Sequence, residues 1–96
     1  MTLEWSHFAL DDREVIFDYI EAESPRSAVM VDEAVEATAD QLIAFPETGR
    51  SGRLPGTREL VVTGLPYIIV YRVTGDIVRI LRVLHMAQQW PEGLAQ

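Results

Sequence analysis

Three β-rich runs follow one another in the second half of the 96-residue chain, and their close spacing restricts the fold more than any other feature. The runs cover residues 58–62, 67–73 and 77–85. The connections between them, residues 63–66 and 74–76, are short and contain glycine, a composition that favours hairpins between antiparallel strands. The sequence therefore predicts a three-stranded antiparallel meander.

The first half of the chain predicts a short strand followed by two helices. Residues 2–6 alternate apolar and polar side chains, which is the period of a half-buried strand. From about residue 8 to residue 23 the apolar residues recur at helical spacing, with acids between them. Ser24 then supplies an N-cap and Pro25 a first-turn proline for a second helix, whose apolar face continues until Pro46 stops it.

The predicted order of elements is β-α-α-β-β-β, an α+β fold in which an antiparallel sheet carries a helical hairpin on one face. Residues 1–96 fit one domain, because a chain of this size buries roughly 60–70 % of its unfolded surface around a single core. The chain has no cysteine and only two histidines, so we expect neither a metal site nor a cofactor. With no leader-like segment and no apolar run long enough for a membrane span, the expected location is the cytoplasm.

Charge is divided unevenly along the chain. Residues 1–48 contain twelve acids and two arginines, a net charge of −10, whereas the remainder contains six arginines and three acids, a net charge of +3. A strongly acidic segment repels phosphate, so we expect any anionic ligand to contact the second half. Two solvated faces of opposite sign are an equally open interpretation.

Alternation divides the last predicted strand into two faces. One face is expected to contain Ile77, Arg79, Leu81, Val83 and His85, and the other Val78, Ile80, Arg82 and Leu84. The helical hairpin can cover only one of these faces. His85 closes the strand, where a side chain can leave the core and reach a cleft.

An arginine and a histidine around one phosphodiester could cleave RNA without a metal, since the arginine neutralises developing charge and the histidine protonates the leaving oxygen. Arg58, at the start of the meander, and His85 are candidates for these roles. A regular meander would keep them at opposite ends, so the pair requires a curved sheet, or else Arg50 or Arg53 as the phosphate clamp. The simpler alternatives are a surface salt bridge for Arg58 and a structural hydrogen bond for His85.

Several short motifs, degenerate one by one, become specific in their order and spacing. They are Ala9-Leu10-Asp11-Asp12, Phe45-Pro46-Glu47-Thr48-Gly49-Arg50, Gly56-Thr57-Arg58-Glu59-Leu60, Tyr67-Ile68-Ile69-Val70-Tyr71-Arg72-Val73, Ile80-Leu81-Arg82-Val83-Leu84-His85 and Trp90-Pro91. Over nearly its whole length the chain resembles the RelE/ParE toxins of type II toxin–antitoxin systems.

The resemblance implies a toxin that a cognate antitoxin neutralises, but it covers two activities on one fold. RelE-like members enter the ribosome and cut mRNA, whereas ParE-like members poison DNA gyrase. By resemblance, Arg58 matches a substrate-phosphate arginine, His85 an acid–base histidine and Glu47 a general base. Arg50, Arg53 and Arg82 are further substrate-binding candidates.

The favoured expectation is a ribosome-dependent mRNA endoribonuclease. Two departures from the RelE pattern count against it: the chain has no lysine, and Met86-Ala87 replace the aromatic or basic residues that often follow the histidine. The alternatives are a gyrase poison and an inactive member that only binds its antitoxin. We expect the antitoxin to fold a disordered segment over the helices and sheet, with some basic residues facing the acidic hairpin.

Overall fold

A computed structural model describes residues 1–87 and contains five strands and two helices. The strands are β1 (Thr2–Trp5), β2 (Arg50–Ser51), β3 (Arg58–Val61), β4 (Tyr67–Thr74) and β5 (Ile77–His85), and the helices are α1 (His7–Glu21) and α2 (Pro25–Ala44). The predicted α+β fold, with a helical hairpin packed on a sheet, is confirmed. The Trp90-Pro91 pair of the sequence resemblance lies outside the described residues.

Both helices begin at a serine cap. The hydroxyl of Ser24 accepts a hydrogen bond from the backbone N–H of Ser27 at 3.2 Å, and Pro25 occupies the first turn, as the sequence predicts. The hydroxyl of Ser6 accepts from the N–H of Ala9 at 3.0 Å and caps α1. Each cap satisfies an amide that the first helical turn would leave without a partner.

The sheet has the strand order β1-β5-β4-β3-β2 and is mixed rather than wholly antiparallel. Strand β1 runs parallel to β5, with Thr2 opposite Ile77 and Trp5 opposite Ile80. Short turns determine direction only for the strands they join, and β1 is separated from β5 by the rest of the fold. The predicted loop at 47–57 also contains β2, which pairs antiparallel with β3.

A β-bulge in β5 changes which side chains face the helices. Tyr71 lies opposite Ile80 while Val70 lies opposite Arg82, so Leu81 is an extra residue with no opposite number on β4. The predicted two-residue alternation is therefore wrong beyond Leu81. Val78, Ile80 and Val83 belong to the core under the helices, and Leu81 and Leu84 pack with Ile68 and Val70 in a second cluster.

The main core lies between the sheet and the helical hairpin. Helix α2 supplies most of its helical side, through residues that step by three or four along one face: Ala28, Val31, Val35, Ala39 and Leu42. Ile69 and Tyr71 of β4 are completely buried beneath them. Within residues 1–87, no helix combines the length and apolar character that a membrane crossing requires.

Candidate functional site

Glu59 of β3 organises the two arginines of the loop before it. Its side chain is only 3 % exposed and accepts hydrogen bonds from Nη2 of Arg50, at 3.2 Å, and from the backbone N–H of Arg53, at 2.9 Å. The guanidinium of Arg53 approaches the same carboxylate at 3.8 Å. Arg50 and Arg53, both predicted to bind substrate, are therefore anchored to an acid of the chain itself.

Asp12 of α1 holds Arg82 of β5 in a two-pronged ion pair. Nε and Nη2 of Arg82 each donate to one oxygen of the Asp12 carboxylate at 2.8 Å, and the backbone N–H of Val83 adds a third bond at 2.9 Å. The hydrogen bonding of Arg82 to the Asp12 carboxylate is the main reason that the pKa of Arg82 is raised. Arg82, the third predicted substrate-binding arginine, thus connects the first helix to the last strand.

Arg58 is held by backbone carbonyls rather than by an acid. Its Nη1 donates to the carbonyl of Gly49 at 2.8 Å and, more weakly, to that of Glu47 at 3.4 Å. Tyr71 holds the same segment, because its hydroxyl donates to the carbonyl of Pro46 at 2.8 Å and accepts from the N–H of Gly49 at 2.9 Å. Burial raises the pKa of Tyr71, which keeps this hydroxyl protonated.

Glu47 and Arg58 line one open pocket of about 640 Å³ beside β2 and β3. Its remaining walls are Ser51, Gly52, Leu54, Pro55, Gly56, Thr57 and Val73. Two of the three predicted catalytic residues therefore lie together. A carboxylate and a guanidinium in one pocket can bind a polar ligand or an anion, but among residues 1–87 no group of histidines and acids is arranged to hold a metal ion.

His85 lies elsewhere. It is opposite Tyr67 in the sheet, its ring meets the Tyr67 ring edge-on at 5.4 Å between centroids, and its Nδ1 accepts from the N–H of Ala87 at 3.0 Å. Arg58 is opposite Tyr71, which lies four positions beyond Tyr67 on β4. Arg58 and His85 are therefore offset by about 13 Å along the strands, and they lie two strands apart across the sheet. The side chain of Arg58 is turned to the carbonyl of Gly49 and that of His85 to the ring of Tyr67, so the structure does not bring the two together.

Comparison with known proteins identifies the family. The family model described as "ParE toxin of type II toxin-antitoxin system, parDE" matches residues 3–90. The chain belongs to the ParE toxin family. The predicted membership of the RelE/ParE superfamily is thereby confirmed.

Other ParE-type and RelE-type names occur among the similar proteins. The chain is 42 % identical over 92 residues to putative toxin Y4kP of Sinorhizobium fredii, covering 96 % of this chain and 95 % of that one. It is 39 % identical over 84 residues to toxin RelE2 of Caulobacter vibrioides, covering 88 % and 93 %. A solved structure titled "Chromosomal ParDE TA system from P. aeruginosa" matches with a TM-score of 0.79 and 28 % identity, covering 88 % of this chain and 95 % of that one. These names agree on a toxin and differ on its type.

Proposed function

We propose that this ParE-family toxin arrests growth by binding a protein target, DNA gyrase, as ParE-like toxins do, and that an antitoxin neutralises it. The observation that supports this proposal is the separation of Arg58 from His85. A general acid must lie within hydrogen-bonding reach of the atom that it protonates. An offset of about 13 Å along the sheet, with Arg58 turned to the Gly49 carbonyl and His85 against Tyr67, does not favour joint action of the two residues on one phosphate. The sequence favours mRNA cleavage, and this separation is the reason that we prefer the gyrase target.

The charge distribution supports the same proposal. Binding to a ribosome or an mRNA requires cationic side chains that neutralise phosphates. Arg50 and Arg53 share the carboxylate of Glu59, and Arg82 is paired with Asp12, so each of these cations is at least partly compensated within the chain. A formal net charge of −7 with no lysine adds a general repulsion toward RNA.

Cleavage of mRNA is the second candidate, and one observation favours it. Glu47 and Arg58 line the same pocket, so a carboxylate base and a phosphate-binding guanidinium could act there without His85. This reading keeps two of the three catalytic roles that the sequence predicts and requires another group, or water, to protonate the leaving oxygen.

Two assays on the toxin released from its antitoxin separate these proposals. In the first, relaxed plasmid is supercoiled by DNA gyrase with increasing toxin. In the second, ribosomes translate a defined mRNA and primer extension maps cleavage. We expect inhibited supercoiling, because gyrase is the proposed target, and an intact message, because Arg58 and His85 point to different neighbours. Cleaved message together with unaffected supercoiling would overturn the gyrase proposal.

Variants connect the assays to the pocket. Glu47→Gln removes the candidate base and keeps the shape of the side chain, and His85→Ala tests the distant histidine. If RNA is cleaved, Glu47→Gln should abolish cleavage while His85→Ala retains it. Glu33→Gln, at an exposed acid of α2, is the matched control for the loss of one negative charge.

A further inference from the structure

Arg58 uses only one of its terminal nitrogens to bind the rest of the chain. Both of its hydrogen bonds, to the carbonyls of Gly49 and Glu47, come from Nη1. No carboxylate within residues 1–87 forms an ion pair with it. A guanidinium has five N–H donors, so these bonds do not use the edge that carries Nε and Nη2. We call this edge the Arg58 fork.

Two other arginines of the protein use the same edge to bind carboxylates. Nε and Nη2 of Arg13 donate to the two oxygens of Asp32 at 2.9 Å, and those of Arg82 donate to the two oxygens of Asp12 at 2.8 Å. Two parallel bonds of this kind match the planar geometry of a guanidinium to that of a carboxylate. The Arg58 fork is the same chemical group, but the described part of the chain places no acid against it.

The Arg58 fork is accessible and fixed in position. Arg58 lines the open pocket beside β2 and β3. Among the described residues, no buried side-chain nitrogen or oxygen lacks a hydrogen-bond partner, so solvent reaches the donors of the fork. The Gly49 carbonyl orients the guanidinium, and the hydroxyl of Tyr71 holds Gly49 in turn. A donor pair that is already oriented loses little conformational entropy when a ligand binds.

The surroundings of the Arg58 fork favour a single carboxylate over a chain of phosphates. Glu47 lines the same pocket, and its negative charge opposes a polyanion, which brings several charges at once. Nucleic acids are bound by several cations that neutralise successive phosphates, whereas the pocket holds one arginine beside one acid. Leu54, Pro55 and Val73 form apolar parts of its wall. An acidic side chain flanked by aliphatic residues, as in a protein segment, matches this lining.

An exposed aromatic ring precedes the pocket in the sequence. Phe45 is 67 % exposed, although its backbone is firmly held. Its carbonyl accepts hydrogen bonds from the N–H of Thr48 at 3.2 Å and from the Thr48 hydroxyl at 2.8 Å, and the next carbonyl, of Pro46, accepts from the hydroxyl of Tyr71. Aromatic residues and arginines contribute most of the binding energy in many protein interfaces. Phe45 and Arg58 are therefore suited to act as anchors for a protein.

We propose that the Arg58 fork binds an aspartate or glutamate side chain of the toxin's protein target, while Phe45 packs on apolar side chains of the same target. The inference rests on the proposal that this target is DNA gyrase, and it adds the chemical group that is recognised and the atoms that recognise it. Nε and Nη2 each donate one hydrogen bond to the carboxylate. Glu47 adds specificity, because it disfavours binding of a polyanion in the same pocket.

Nuclear magnetic resonance tests the fork on the toxin alone, after its release from the antitoxin. The probes are two tetrapeptides with blocked ends, leucine-glutamate-leucine-alanine and its counterpart with glutamine in place of glutamate. We expect the glutamate peptide to shift the Nε–H resonance of Arg58 and to bind roughly tenfold more tightly, since a carboxylate accepts stronger hydrogen bonds than an amide. Loss of the resonance in Arg58→Lys assigns it. Arg26→Lys, at an exposed arginine of α2, is the matched control and should leave peptide binding unchanged.

A tetranucleotide RNA distinguishes a carboxylate site from a phosphate site. We expect it to bind the toxin more weakly than the glutamate peptide does. Glu47→Gln removes the opposing charge, so it should strengthen binding of the RNA without weakening that of the peptide. Tighter binding of the RNA than of the glutamate peptide to the unmodified toxin would overturn the inference and support mRNA cleavage. Equal binding of the glutamate and glutamine peptides would overturn it as well.

Inhibition of gyrase provides the second readout. Arg58→Lys keeps the positive charge and a donor for the Gly49 carbonyl but loses the fork, so the toxin concentration that halves supercoiling should rise roughly tenfold. Circular dichroism checks that the variant is folded. If it is not, Phe45→Ala, at an exposed side chain, tests the second anchor and should also weaken inhibition roughly tenfold.

The two readouts separate failure of the inference from failure of the gyrase proposal. If folded Arg58→Lys inhibits gyrase as strongly as the unmodified toxin, the inference is wrong and gyrase remains the target. If the unmodified toxin binds the glutamate peptide through the Arg58 fork but leaves supercoiling unaffected, the carboxylate site is supported and only the gyrase proposal is contradicted.

Discussion

Removal of the Asp12 carboxylate should destabilise the fold far more than removal of an ordinary surface acid. In Asp12→Ala the guanidinium of Arg82 and the N–H of Val83 both lose their partner. The side chains of Arg82 and Asp12 are only 19 % and 14 % exposed, so water replaces the lost bonds incompletely. Charge-assisted bonds contribute about 1.5–3 kcal/mol and an unsatisfied buried amide costs about 1–3 kcal/mol. We expect a loss of about 3 kcal/mol in the free energy of unfolding.

Thermal and urea unfolding followed by circular dichroism measure this change. For a domain of this size, about 3 kcal/mol corresponds to a fall in Tm of roughly 15 °C. The matched control is Glu4→Ala, which breaks the single contact of Glu4 with Arg79 at 3.1 Å between side chains that are 46 % and 48 % exposed. An exposed pair of this kind contributes at most about 1 kcal/mol.

The coupling energy between Asp12 and Arg82 distinguishes a specific ion pair from a general effect of charge on stability. Arg82→Ala should cost less than Asp12→Ala, because Asp12 keeps its bond to the N–H of Val83. The double variant should show a coupling energy of about 1 kcal/mol or more in a double-mutant cycle. If Asp12→Ala lowers Tm no more than Glu4→Ala does, the assignment of Arg82 to a structural role is refuted, and its candidacy as a substrate-binding residue regains weight.

Three further outcomes concern the buried tyrosines and Gly49. Tyr71→Phe leaves the Gly49 N–H and the Pro46 carbonyl without a partner and should lower the free energy of unfolding by about 2 kcal/mol, measured in urea. Gly49→Ala should be at least as damaging, since a Cβ there would lie 2.6 Å from the Tyr71 hydroxyl and 2.9 Å from the Glu59 carbonyl. In the comparison variant Gly64→Ala, a Cβ meets no atom within 4 Å and only the strain of φ +78° opposes it, so a smaller loss in Gly49→Ala than in Gly64→Ala would contradict the steric cause. Burial raises the pKa of both Tyr67 and Tyr71 above the ordinary value of 10.0. Their contribution to the free energy of unfolding is therefore complete below pH 10 and declines as pH rises through the folded-state pKa. Tyr67→Phe should reduce this alkaline decline, and an unchanged slope of the free energy of unfolding against pH would count against the prediction.

Local sequence patterns were sufficient to predict most of the helices and strands of this fold. The serine-proline pair at Ser24 and Pro25 located the start of α2, and glycine-containing turns located the meander, because caps and turns depend on residues that are neighbours in sequence. The serine at Ser6 caps α1 in the same way and could have been found by the same rule. The bulge at Leu81 could not, since one extra residue in a strand leaves the apolar composition of the run unchanged.

The candidate site depended on contacts between distant residues, and there the sequence was a weaker guide. Counting arginines predicted a cationic surface, but the number of cations does not reveal which acids they meet. Asp12 binds Arg82 from 70 positions away in the sequence. Glu59, the only acid of β3, binds Arg50 and Arg53. Two carboxylates therefore hold all three arginines that were predicted to bind substrate. Glu47 and Arg58 were named separately, through the family resemblance, and the structure shows that both line one pocket.

The parallel pairing of β1 with β5 has a consequence for how the chain folds. Thr2 lies opposite Ile77, so both helices and three strands lie between the two partners along the chain. The helical hairpin and the β-hairpins join elements that are neighbours in sequence, whereas the β1 edge of the sheet stays open until β5 is in place. Pairing across so long a separation is slow, because a large loop must close before any contact rewards it. We therefore expect β1 to be the last strand to join the sheet.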